Sequence, residues 1–280
     1  MRPENTIPAF EYAIAAGVDA LELDMAVTKD NVIVVSHDPI LHPPVCSGPQ
    51  PAAVIHQLTL AEVKKWDCGL VQNPDFKTQQ NIPGTRMPTL DEVFDLAPKG
   101  KFKFNIETKS FPKQTTRTEA EGMLALAGQS TATPEGRAML EALMAVGPNV
   151  TPPPDEFVKL VLAKVRQHHL EDRVILQSFD FRTLREMRKI APEIPLSALF
   201  DGRAPDYVAV CKDAGNAEIA SPSFQGVTAE KVRQAHAAGI QVIPWTADKT
   251  KDWDALIAAG VDAIISDDPA DLIAYLKTHH

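Results

Sequence analysis

Three carboxylates in the first 110 residues stand where two predicted strands would bring them together. Glu22 and Asp24 lie two positions apart in a strand predicted over residues 18–27, so both side chains point to one face. Glu107 ends a second predicted strand, over residues 102–107. Buried carboxylates are costly unless they are paired or bind a cation. Their type and spacing therefore predict a site for one divalent cation, Ca²⁺ or Mg²⁺. The alternative is that one of the first two faces solvent, with the strand displaced by one residue.

Three further side chains that could take part in catalysis or binding lie at or just after the ends of predicted strands. His37 ends an apolar strand and precedes Asp38, which favours an acid/base role, although a lone histidine is usually structural. Lys109 is either a cation near a bound phosphate or a solvated surface lysine. Trp245 either walls a small-molecule pocket or packs in the core. The remaining histidines are interpreted as surface or loop residues: His42, His56, His168, His169, His236, His279 and His280.

Alternating strand and helix patterns predict the elements that would hold these side chains. Strands are predicted at 18–27, 32–36, 102–107, 174–177, 196–200, 217–220, 240–245 and 262–266, with helices between most of them. Such alternation implies parallel strands joined by right-handed crossovers. With 32–36 taken as a local partner of the strand before it, the pattern predicts an α/β fold, a TIM (β/α)8 barrel with its first strand missing. A doubly wound sheet is the alternative, but no glycine-rich nucleotide loop supports it.

Two irregular stretches interrupt the alternation. Residues 40–88 are rich in proline, with a short helix predicted around 60–66, and we interpret them as a loop-rich insertion within a single domain spanning 1–280. Residues 110–154 are the second stretch, with one helix predicted around 134–146. Cys46 and Cys68 lie in the insertion, where they either pair in an exported protein or remain free thiols.

Composition limits the classes of partner. The net charge of -9 argues against nucleic acid as the main partner, because no basic stripe is available to neutralise phosphates. No apolar run approaches the roughly 18 residues of a membrane-spanning helix. A small anionic substrate remains compatible, since it needs only a local cation. The sequence does not determine the oligomeric state.

Short motifs along nearly the whole chain occur in an order that resembles the glycerophosphodiester phosphodiesterase family. They are Pro3-Glu4-Asn5-Thr6, Gly17 to Asp24, Ser36-His37-Asp38, Ile106-Glu107-Thr108-Lys109, Gln177-Ser178-Phe179, Pro244-Trp245-Thr246 and Ile264 to Pro269. The resemblance implies a TIM barrel with an insertion after the His-Asp motif. It also implies hydrolysis of glycerophosphodiesters to glycerol 3-phosphate and an alcohol.

The resemblance also implies roles for the residues singled out above. One divalent cation would be bound by three carboxylates: Glu22, Asp24 and Glu107. His37 would be one of two histidines in acid/base catalysis. Lys109 would contact the phosphate, and Trp245 would pack against the glycerol moiety.

The sequence departs from the family pattern at its beginning. Family members open with a strand that ends in His-Arg-Gly, upstream of Pro-Glu-Asn-Thr, and this sequence lacks that motif. We therefore expect a missing first strand, one missing catalytic histidine and impaired activity of the 280-residue chain. Two alternatives remain: a catalytically dead barrel that binds metal or a glycerophosphodiester, and a related phosphodiesterase such as a sphingomyelinase-type phospholipase D or a phosphatidylinositol-cleaving phospholipase C. A disulfide in the insertion would favour a periplasmic or secreted protein over a cytoplasmic one.

Overall fold

The computed structural model describes residues 1–110, 117–126, 130–147 and 149–279, so that the predicted surface residue His280 lies outside the described residues. The α-helices are α1 (Ile7–Ala16), α2 (Leu60–Val63), α3 (Leu90–Phe94), α4 (Arg117–Leu126), α5 (Pro134–Val146), α6 (Pro154–Gln167), α7 (Phe181–Ile190), α8 (Tyr207–Asp213), α9 (Ala229–Ala237), α10 (Thr250–Ala259) and α11 (Pro269–His279). The strands are β1 (Ala20–Val27), β2 (Ile33–Val35), β3 (Ile40–Leu41), β4 (Ala53–Val54), β5 (Lys103–Thr108), β6 (Val174–Ser178), β7 (Leu196–Phe200), β8 (Ile219–Pro222) and β9 (Gln241–Val242).

Seven of these strands form one mostly parallel sheet, in the order β2-β1-β5-β6-β7-β8-β9. The neighbours from β5 to β9 are parallel, and helices connect them along the chain. Every residue of β6 and β7 is buried, as expected for parallel strands that are covered on both faces. β2 pairs with β1 in the antiparallel sense, which confirms the prediction that 32–36 is a local partner of the preceding strand.

The strand predicted over residues 262–266 is wrong, and a proline explains why. The N–H of Asp262 donates to the carbonyl of Val242 at 3.0 Å, and the N–H of Ile265 donates to the carbonyl of Pro244 at 2.9 Å. A parallel ladder would next require the nitrogen of Pro244 to donate, but proline carries no N–H. Residues 262–266 therefore lie beside the end of β9 without forming a strand, and β9 itself ends earlier than predicted.

The insertion holds more regular structure than the sequence predicts. β3 and β4 form a two-stranded antiparallel sheet, and α2 ends at Val63, three residues before the predicted end. Trp66 is 2% exposed and belongs to an apolar cluster. In the second irregular stretch the helix over 134–146 is confirmed as α5, with the Thr133 side chain accepting from the N–H of Gly136. Helix α4 was not predicted from the sequence.

The chain divides into two compact units. The first comprises Met1–Tyr12, Leu23–Ala97 and Lys109–Lys164. It contains two apolar clusters, one around Trp66 and the disulfide and one where α4 and α5 pack against β4.

The second unit comprises Ala13–Glu22, Pro98–Thr108 and Val165–His280. Its strands β5 to β9 alternate with helices in the way that the sequence predicts for an α/β barrel. A separate apolar cluster surrounds Trp253, whose indole N–H donates to the carbonyl of Ala247 at 2.7 Å. Among the described residues of both units, no helix has the length and apolar character that a bilayer span requires.

Cys46 and Cys68 form a disulfide, which resolves the alternative that the sequence left open. The two cysteines are 22 positions apart, and closing such a loop in the unfolded chain predicts a stabilisation of about 3 kcal/mol. We expect the Cys46→Ala/Cys68→Ala double variant to lose about that free energy of unfolding in urea titrations.

The control for this prediction is the reducing agent. It should lower the unfolding midpoint of the parent chain and leave the double variant unchanged. A parent midpoint that does not respond to complete reduction would contradict the prediction.

Candidate active site

Three acidic side chains converge in the sheet. Each of Glu22, Asp24 and Glu107 places a carboxylate oxygen within 4.8 Å of the other two. Asp24 and Glu107 are each only 5% exposed, and Glu22 is half-buried. The alternative in which one of the first pair faces solvent is therefore wrong. Both lie within β1, which continues beyond them over residues 25–27, where it pairs with β2.

Asp24 is held by two side chains of its own unit. The Asn5 amide donates to Asp24 Oδ2 at 2.9 Å, and Asn5 Oδ1 accepts from the Asp24 N–H at 3.2 Å. Lys109 Nζ lies 3.3 Å from Asp24 Oδ1, and the lysine side chain is 11% exposed. Lys109 is therefore a largely covered cation beside Asp24, and the interpretation as a solvated surface lysine is wrong. The sequence indicated Asn5 only as a helix cap, although it belongs to the Pro-Glu-Asn-Thr motif.

Glu22 is held by a polar chain that sequence reasoning missed. The Gln177 amide donates to Glu22 Oε1, and Gln177 Oε1 accepts from the Asn105 amide at 2.8 Å. Gln177 on β6 is in register with Glu107 on β5, so it belongs to the same row of the sheet. The only signal in the sequence was its place in the Gln-Ser-Phe motif, because an isolated glutamine in an apolar strand carries no chemical pattern of its own.

His37 lies two residues beyond β2 and bonds to its neighbour. Its Nδ1 is 3.0 Å from Asp38 Oδ1, and half of its side chain is exposed. Asp38 is buried, and its other oxygen lies 2.9 Å from Nε2 of His42. His42 lies in a loop after β3, as the sequence interpretation allowed, but it is not a surface residue, because only 1% of its side chain is exposed. The proline-rich sequence around it gave no indication of burial.

The charges around His37 determine its protonation. Desolvation lowers its pKa, but the hydrogen bond to Asp38 and the negative charge of Asp24 outweigh that effect and raise the pKa to about 9. Lys109 opposes them more weakly. His37 therefore carries its proton at neutral pH, which is the state required of a general acid.

Trp245 follows β9 and lies beside a second aromatic ring. Its indole N–H donates to the carbonyl of Ser221 at 2.8 Å. Its ring meets that of Phe179 edge to face, with centroids 5.4 Å apart. Phe179 is 50% exposed and follows β6, so the pair presents an accessible aromatic surface. Sequence reasoning indicated Trp245 but assigned no role to Phe179.

Comparison with known proteins gives three consistent findings. The model of the "Glycerophosphoryl diester phosphodiesterase family" matches residues 1–135 and 130–271. A glycerophosphodiester phosphodiesterase of Caldanaerobacter subterraneus is 31% identical over 98% of this chain and 93% of its own length. One from Bacillus subtilis is 27% identical over 98% of this chain and 82% of its own length.

Solved structures agree on the fold. A Silicibacter pomeroyi structure assigned to the glycerophosphoryl diester phosphodiesterases superposes with a TM-score of 0.77 at 29% identity, covering 99% of this chain and 89% of that one. An Oleispira antarctica phosphodiesterase in complex with the product sn-glycerol-3-phosphate gives a TM-score of 0.74 at 19% identity, covering 98% and 92%. The predicted α/β fold of the (β/α)8 barrel class is confirmed.

The fold and the converging acidic side chains define a barrel enzyme of the phosphoric diester hydrolase class. Within that class, the chain belongs to the glycerophosphoryl diester phosphodiesterase family. Its activity is the hydrolysis of glycerophosphodiesters.

Proposed function

We propose that the chain hydrolyses glycerophosphodiesters to glycerol 3-phosphate and an alcohol in a reaction that depends on one divalent cation. The observation that carries this proposal is the convergence of three carboxylates within 4.8 Å in a chain of this family. The product seen with the Oleispira antarctica phosphodiesterase, sn-glycerol-3-phosphate, is the product proposed here.

The carboxylates fit a hard cation. Oxygens that share one Ca²⁺ or Mg²⁺ lie at most about 5 Å apart, because each metal–oxygen bond is about 2.0–2.6 Å. The carboxylate oxygens of Glu22, Asp24 and Glu107 lie within 4.8 Å of one another, which meets that limit. A bound cation would offset negative charge on the phosphoryl oxygens. Both Ca²⁺ and Mg²⁺ suit an all-oxygen donor set, so we propose the site for either.

The other side chains would bind and protonate the substrate. We assign to His37 the protonation of the leaving alkoxide, since it holds its proton at neutral pH. Lys109, largely covered beside Asp24, would contact the phosphate. Trp245 would pack against the glycerol moiety, on the side where Phe179 supports its ring.

Gln177 should matter although it would touch neither cation nor substrate. It orients Glu22, and loss of such supporting hydrogen bonds lowers activity or metal affinity by about 10- to 100-fold. We expect Gln177→Leu to show a loss of that size in kcat/KM. The matched control is Gln234→Leu, which removes a comparable glutamine–glutamate bond on the surface, to Glu230 at 2.9 Å. Equal effects of the two substitutions would contradict the assignment.

We also propose that the 280-residue polypeptide turns over slowly. The resemblance implies two acid/base histidines, and these 280 residues contain no His-Arg-Gly motif to supply the second. A positioned acid or base contributes about 10²- to 10⁴-fold in rate, so assays need high enzyme concentrations. Turnover typical of the family would contradict this proposal.

We further propose that the protein is periplasmic or secreted and that it acts in lipid and glycerol metabolism. The disulfide supports the location, because such bonds persist in oxidising compartments. Fractionation of the native host, with the thiol state of Cys46 read by alkylation, would test it. Recovery in a reducing compartment with the cysteines reduced would contradict it.

The proposed reaction is tested by product identification. Glycerophosphocholine and glycerophosphoethanolamine are incubated with the chain and with Ca²⁺ or Mg²⁺, and glycerol 3-phosphate is measured by an enzyme-coupled assay. Formation of glycerol 3-phosphate that requires the cation supports the proposal. Calorimetric cation binding with no product at any enzyme concentration would favour a binding protein without turnover.

A further inference from the structure

We propose that His42 is a positioning residue that acts through Asp38 to fix the ring of His37 for proton transfer. The inference rests on the acid/base role proposed above for His37. It concerns three side chains of the first unit, joined as His42–Asp38–His37. His42 and Asp38 are buried, whereas half of the His37 side chain is exposed.

The hydrogen bonds of His42 fix its charge. Nδ1 lies 2.7 Å from the carbonyl oxygen of Pro43, and Nε2 lies 2.9 Å from Asp38 Oδ2. A backbone carbonyl and an ionised carboxylate accept hydrogen bonds and cannot donate them, so both ring nitrogens of His42 must carry a proton. Burial lowers the pKa of His42, but the bonds to Asp38 and Pro43 outweigh it and raise the pKa. His42 is therefore a buried imidazolium.

Asp38 connects His42 to His37 through one hydrogen bond to each ring. Its Oδ2 is held by His42 and its Oδ1 by His37, so the carboxylate plane is set from both sides. Burial raises the pKa of Asp38, but the two histidines outweigh that effect and hold it well below its usual range. Nδ1 of His37 must then donate to the carboxylate, which leaves Nε2 as the nitrogen that can exchange a proton with substrate.

Stability alone does not account for this arrangement. A buried ion pair often contributes little net stability, because desolvation of both charges offsets their attraction. The half-exposed His37 ring, in contrast, would sample several rotamers without its bond to Asp38. We call the hydrogen-bonded chain His42–Asp38–His37 the relay. Hydrogen bonds to its backbone hold it in place: the Cys46 N–H donates to the His42 carbonyl at 2.9 Å, and Ser36 Oγ donates to the Asp38 carbonyl at 2.8 Å.

Substitutions of His42 test the relay by kinetics. His42→Leu removes the donor to Asp38, and we expect kcat to fall by about 10²-fold with little change in KM, as for a misplaced catalytic group. His42→Gln keeps an amide donor near the former Nε2 and should therefore keep most of the kcat that His42→Leu loses. The matched control is His56→Leu, which deletes a histidine bonded to the carbonyl of Val27. A His42→Leu chain that folds and keeps its kcat would overturn the proposal.

Nitrogen-15 NMR of the ring nitrogens tests the relay without substitution and without turnover. In the parent chain at pH 7.5, both nitrogens of His42 should show the shifts of a protonated ring. Above the His37 transition, the neutral ring of His37 should keep its proton on Nδ1, and in His42→Leu that population should decrease. A neutral His42 at pH 7.5, or a His37 proton on Nε2, would overturn the proposal. These spectra do not depend on whether His37 takes part in the chemistry. The positioning role of His42 and the acid/base role of His37 can therefore be contradicted independently.

Discussion

Replacing His37 with asparagine is expected to lower kcat by about 10²- to 10⁴-fold and to change KM little. The pKa of the imidazole is raised to about 9, so at neutral pH it carries the proton that a departing alkoxide needs. The asparagine amide can still donate a hydrogen bond to Asp38, but it is not acidic enough to protonate the alkoxide. The measurement is the steady-state rate of glycerol 3-phosphate release from glycerophosphocholine by the parent and variant chains.

The leaving group provides the control for the role of His37. A p-nitrophenyl glycerophosphodiester releases a stabilised phenolate that needs no proton, so the variant should lose much less activity on it. Equal losses on both substrates would show that His37 does not act as the acid. His56→Asn serves as a matched substitution, because His56 bonds to a backbone carbonyl and should leave both rates unchanged.

The sheet could be predicted because its signal is local. Apolar runs with helices between them predict parallel strands, and the stretch 32–36 predicts its own antiparallel pairing. The failure at 262–266 comes from a residue in another segment, Pro244, which removes a donor from the ladder. The state of Cys46 and Cys68 was open for a similar reason, since pairing requires a fold that brings them together.

Some residues of the candidate site could be predicted from the sequence, and others could not. Glu22, Asp24 and Glu107 were predictable, because charged groups in apolar strands violate the usual pattern and so indicate function. Asn5, Gln177 and His42 were not, because their types are ordinary and only their partners make them unusual. Polar side chains that orient other side chains leave no periodic signal in one sequence, and their roles depend on contacts between distant segments.

Replacing Glu107 with glutamine is expected to lower turnover by about 10²- to 10³-fold, with partial recovery at high Ca²⁺ or Mg²⁺. The substitution keeps the shape of the side chain but removes one of three anionic ligands from an oxygen site. Electrostatic help from a cation is worth several kcal/mol, and each tenfold in rate corresponds to about 1.4 kcal/mol. Chelation of divalent cations by EDTA should reduce the parent chain to a similar rate.

Stability provides an independent signature of the same site. Without a cation, the carboxylates of Glu22, Asp24 and Glu107 repel one another within 4.8 Å, while Lys109, beside Asp24, and the protonated His37 offset part of that charge. In EDTA the Glu107→Gln chain should therefore melt at a higher temperature than the parent. Added Ca²⁺ or Mg²⁺ should raise the melting temperature of the parent much more than that of the variant. The surface substitution Glu193→Gln, which removes a partner of Arg166, should do neither. A parent chain whose melting temperature is the same with and without cation would contradict a metal site formed by these three residues.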